Sequence, residues 1–117
     1  MKNFMAIHDA RDEEAAQAYK LYFTDMYPDK MTQGDWAKST IGEFATAMQV
    51  WQGSKSDFYC THFQAESEEH VYQQLDAWGM GRFFTSMVIE TDRFTSALLP
   101  KDELVDTSYF NDEVGLR

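Results

Sequence analysis

The sequence predicts an α+β fold with two helices packed on one four-stranded antiparallel sheet, and three observations carry that prediction. Two stretches repeat apolar residues at three- and four-residue spacing, each behind residues suited to capping a helix. Four other runs, rich in aromatic, β-branched and other apolar residues, have strand character. The two kinds follow one another as strand, helix, strand, strand, helix, strand, the order of the split βαβ arrangement.

Asn3 to His8 is the first strand, and the polar cluster from His8 to Glu14 interrupts it, with Asp9 or Asp12 placed as an N-cap. From Glu13 to Met26, Ala15, Ala18, Tyr19, Tyr22 and Met26 form the apolar face of the first helix. Tyr27-Pro28-Asp29 ends it, because proline disfavours helical conformation in the residue before it. Met31 to Gly42 reads as a long connection in which Thr32 or Asp35 caps a short helical turn running from Trp36 to Thr40.

Glu43 to Trp51 and Asp57 to Gln64 are the second and third strands, a hairpin closed by Gly53-Ser54-Lys55-Ser56. Ser67 caps the second helix, where Glu68 and Glu69 complement its positive end and Val71, Leu75 and Trp78 follow before Gly79 and Gly81. Phe83 to Glu90 is the fourth strand. The expected organisation is one domain over residues 1–117, of the ferredoxin-like βαββαβ class, with residues 91–117 as an extension or arm.

This topology leaves one sheet face uncovered by helices, yet both faces carry large apolar groups. Tyr59 and Phe63 point opposite to Phe58, while Phe83, Met87 and Ile89 alternate with Phe84 and Val88. Each large side chain left in water forgoes about 1.5–3 kcal/mol. A homodimer through the open sheet face is therefore expected.

Twenty acidic against ten basic residues give a formal charge of −10, which repels phosphate backbones and anionic membrane surfaces, so neither nucleic acid nor membrane is an expected partner. A single cysteine, Cys60, excludes an internal disulfide, and the short run Phe4 to Ile7 is neither a signal peptide nor a span. Lys101-Asp102-Glu103-Leu104 spells a retention tetrapeptide but is internal. The expected location is the cytoplasm.

The opening Lys2-Asn3-Phe4-Met5-Ala6-Ile7-His8, the run Ala65-Glu66-Ser67-Glu68-Glu69 leading into a helix, and Met87-Val88-Ile89-Glu90 resemble the dimeric α/β-barrel superfamily. Within it the chain is most similar to small ferredoxin-like proteins of marine environmental sequence, over about the first four fifths of its length. The resemblance implies a dimer with a cleft between helices and sheet. The superfamily includes cofactor-independent monooxygenases, haem-degrading enzymes, isomerases and dehalogenase-like proteins. A polar pocket residue often stands at the end of the first strand in its haem-degrading and antibiotic-oxidising members, the position of His8 here.

No cofactor is expected. One thiol cannot hold an iron–sulfur cluster, and the only helical histidine, His70, lies in an acidic first turn unsuited to ligating haem. Cys60-x-His62 shares one side of a strand, but His8 falls roughly 13 Å from His62 along the strands, too far to complete a metal site. Cys60 has no cationic neighbour in sequence and reads as a small core residue.

Pairing the first and third strands about their midpoints places Phe4, Ala6, His8, Met48, Phe58, Cys60 and His62 on one sheet face, with His8 opposite Phe58. On this register His8, Met48, Phe58, His62, Tyr22, Trp36 and Tyr72 are the candidate ligand-binding residues. They fit a cleft for a small, largely apolar, fatty-acid-like or aromatic molecule whose polar end His8 and His62 orient. Two alternatives stand beside it. In one, His8 is the base of a cofactor-independent monooxygenase or isomerase. In the other, the aromatic residues are all core, and the chain is a ligand-free dimerising module whose acidic tail contacts a partner.

Overall fold

The computed structural model describes residues 1–26, 30–55 and 57–105. Tyr27-Pro28-Asp29, Ser56 of the hairpin turn and the end of the tail, 106–117, lie outside the described residues. The elements are β1 (Lys2–Ala10), α1 (Glu13–Met26), α2 (Gln33–Ser39), β2 (Ala45–Gln52), β3 (Phe58–Ala65), α3 (Glu68–Ala77) and β4 (Phe84–Thr91), with a 3-10 turn at Met80–Arg82. The sheet is antiparallel throughout, in the order β2-β3-β1-β4. The result is an α+β fold compatible with the ferredoxin-like class, enlarged by α2. No helix among the described residues is long and apolar enough to cross a membrane.

Local chemistry accounts for the helices. The Asp12 carboxylate accepts from the Ala15 amide at 2.7 Å and starts α1. Thr32 and Asp35 form a reciprocal capping box, so the expected short turn begins earlier and becomes the seven-residue helix α2. Ser67 caps α3 by accepting from the His70 amide at 3.2 Å. Gly79, at φ 72°, ends α3 in the left-handed region that a side chain disfavours.

The inward face of the sheet divides by side-chain size. Ala6, Ala45, Ala47 and Ala65 surround Phe4 and Phe63, and these small residues let α3 settle close, burying Val71 and Leu75. Gln74 of α3 is buried, and its side-chain oxygen accepts from the amides of Phe44 and Ala45 at 2.7 and 3.1 Å, tying the helix to the start of β2. A Cβ at Gly42 would overlap that side chain and approach the Ala45 carbonyl oxygen to 2.5 Å, so the close approach requires glycine. On the edge strand β4, the Val88 amide donates to the Tyr72 hydroxyl at 3.1 Å.

Under α1 the sheet presents Tyr59 and Phe84 instead, joined by Phe83. Only Ala16 of this helix is fully buried. Tyr19 holds α1 to the sheet through edge-on contacts with Tyr59, Phe83 and Phe84 at centroid distances of 5.2, 5.3 and 4.8 Å. The Arg82 guanidinium covers the neighbouring Tyr22 and Phe83 rings.

The register corrects the one expected from sequence. His8 pairs with Tyr59, not Phe58, so Phe4, Ala6 and His8 share their face with Tyr59, Thr61 and Phe63. Phe58, Cys60 and His62 lie on the opposite, open face. Between Ala47 and Gln49 the pairing of β2 with β3 shifts, leaving Met48 as the extra residue of a β-bulge.

Candidate functional site

A cavity of ≈ 200 Å³ opens where α1 stands off the sheet. β1 and β3 supply its floor through His8, Tyr59, Thr61 and Phe63; α1 supplies Tyr19, Tyr22, Phe23 and Met26. Trp36, Ser39 and Thr40, from α2 and its C-terminus, form one wall, Leu75 and Trp78 form another, and Val50 and Gln52 extend the lining along β2. The surface is mostly apolar and rich in aromatic rings, the usual make-up of a small-molecule site.

His8 is the polar centre of the floor. Its Nδ1 lies 2.7 Å from Ser86 Oγ on β4 and its Nε2 3.1 Å from Thr61 Oγ1 on β3. The ring thus bridges hydroxyls from the two flanking strands. Burial lowers its pKa from 6.5 to about 4, against a smaller opposing effect of Asp9, so the imidazole is uncharged at neutral pH. Burial likewise raises the Tyr59 phenol, which stays protonated.

Of the residues expected from sequence, His8, Tyr22 and Trp36 converge on this cavity. Met48 lies in the bulge, while Phe58 and His62 belong to the open face, none of them lining the cavity. The pairing of His8 with His62 as joint ligand-orienting groups is thereby corrected: the sheet separates them. Tyr72 stands outside the cavity and serves the amide of Val88. Sequence reasoning missed Thr61 and Ser86. Their signal was a hydroxyl between two inward aromatic or aliphatic positions, in Tyr59-x-Thr61-x-Phe63 and Phe84-x-Ser86-x-Val88.

On the open face, His62 Nε2 lies 2.8 Å from Asn3 Oδ1, and Phe94 of the segment after β4 meets its ring edge-on at 4.7 Å. Burial lowers its pKa too. The Cys60 thiol is pushed up by burial, which opposes formation of a nucleophilic thiolate. Among the described residues, no group of three or more His, Cys, Asp or Glu side chains is placed to hold a metal ion.

Comparison of the chain with protein-family models, with curated proteins and with solved structures finds no match.

Proposed function

We propose that this chain binds a small, largely apolar molecule between its helices and sheet, and does so as a homodimer of dimeric α/β-barrel type joined through the open sheet faces. The observation that carries the binding reading is the aromatic cavity with one polar spot, His8 and Thr61, on its floor. A packed interior would have served stability better, since unfilled apolar space forfeits dispersion contacts. The volume slightly exceeds the roughly 150 Å³ that accommodates benzene in an engineered cavity, which favours an aromatic compound over a long acyl chain.

The enzymatic alternative, with His8 as base, draws on the same cavity but has less support. Both ring nitrogens are engaged by hydroxyls, and a base whose conjugate acid has a pKa of about 4 is a weak proton acceptor at neutral pH. The ligand-free module is favoured only by the exposed sheet face, which the binding reading shares.

Native mass spectrometry of the purified protein, before and after denaturation, tests the proposal. A released mass of small-molecule size is the expected result, and Ala47→Leu, which fills the cavity from β2, should abolish it. Retention of the same mass by that variant would place the ligand elsewhere and refute the cavity reading.

A further inference from the structure

Among the described residues, the cavity lining contains no Asp, Glu, Lys or Arg; its polar groups are an imidazole, hydroxyls, one side-chain amide and the indole N–H groups of Trp36 and Trp78. A carboxylate or ammonium group entering it would leave water without meeting an opposite charge, which burial penalises heavily. The floor chemistry sharpens this. A neutral imidazole has one N–H and one bare nitrogen, so the chain Ser86, His8, Thr61 can run in either direction.

With Ser86 donating to Nδ1, the Nε2–H donates to Thr61, whose own proton is then free to serve a ligand. With the tautomer reversed, Thr61 donates to Nε2 and keeps lone pairs for a ligand donor. Thr61 thus offers a donor or an acceptor at one position with no change of net charge. Hydroxyls and carbonyls both satisfy it.

The geometry points to an uncharged ligand of about one substituted ring, carrying a hydroxyl or carbonyl that hydrogen-bonds Thr61 on the cavity floor. This inference rests on the cavity-binding reading above and narrows it from any apolar molecule to neutral phenols, alcohols and ketones.

The test is calorimetric titration at pH 7.5 with four ligands built on one methylbenzene ring: 4-methylphenol, toluene, 4-methylbenzoate and 4-methylbenzylammonium. 4-Methylphenol should bind at least tenfold more tightly than either ion, and about fivefold more tightly than toluene, the worth of one hydrogen bond. Thr61→Val should erase the preference over toluene, and Thr61→Ser, which keeps the hydroxyl, should restore it. Thermal denaturation of both variants checks that they remain folded.

Binding of 4-methylbenzoate as tight as that of 4-methylphenol would overturn the inference while leaving the cavity reading intact. A phenol preference unchanged in folded Thr61→Val would do the same. Failure of all four to bind would bring down both.

Discussion

Protonating His8 in the folded chain places a charge beside the Phe84 ring, 6.2 Å away, where water does not solvate it. Unfolded, the same ring titrates near pH 6.5; folded, near pH 4. Between those values the unfolded chain binds more protons, so this group's contribution is fully present above pH 6.5 and is lost progressively as pH falls through 4. The full loss is about 3 kcal/mol. Urea unfolding at pH 7 and pH 4.5 should show the decline, and His8→Gln should flatten it. An equally steep profile in the variant would assign the acid sensitivity to other groups. The position of His8 was legible in the sequence as the end of a strand, but its partners were not: Thr61 and Ser86 are 53 and 78 residues away in the chain, and only strand register brings their hydroxyls to the ring.

α3 was the most readable element, because Ser67, Glu68 and Glu69 announce its start and Gly79 its end by purely local chemistry. Its attachment was not readable, since it depends on Gln74 and Tyr72 reaching other parts of the chain. Gln74→Leu should destabilise the fold by about 2–3 kcal/mol by leaving the Phe44 and Ala45 amides unpaired, and Tyr72→Phe by about 1 kcal/mol through the Val88 amide. Chemical denaturation measures both. No loss in either variant would mean that these hydrogen bonds contribute nothing net to the attachment. The strands were recognised within one or two residues, yet β3 was paired one residue out. Phe58 and Tyr59 are both aromatic, so alternation did not say which one faces inward, and a one-residue slip moves every side chain to the other face. The bulge at Met48 carries no sequence mark such as glycine.

At the scale of the molecule, the open face sets Met5, Trp51, Phe58, Met87 and Ile89 side by side, with Met87 and Trp51 more than half exposed at 54% and 52%. A monomer gains little from this arrangement, and in the proposed dimer a second copy would bury it. Sedimentation velocity should therefore give a dimer for the wild type and a monomer for Met87→Glu combined with Ile89→Lys. A monomeric wild type at tens of micromolar would remove the sheet-to-sheet dimer while leaving the cavity untouched. The layer arrangement was legible because it follows from the order of the elements alone. A cleft between helices and sheet was expected, but its floor was not legible, because it comes from a difference in floor height: alanines under α3 and aromatic rings under α1.

The two outer strands differ from the open face in what they offer to other chains. Along β2, Thr40 holds Ala47 through both its hydroxyl and its carbonyl, Gly42 bonds back to Ala45, and the Met48 bulge breaks the ladder just beyond. Along β4, Tyr72 occupies the Val88 amide. On each border these contacts occupy part of the edge that a foreign strand would need to extend the sheet. In the proposed dimer, face-on contact through the apolar sheet closes after two copies, whereas edgewise growth would not close.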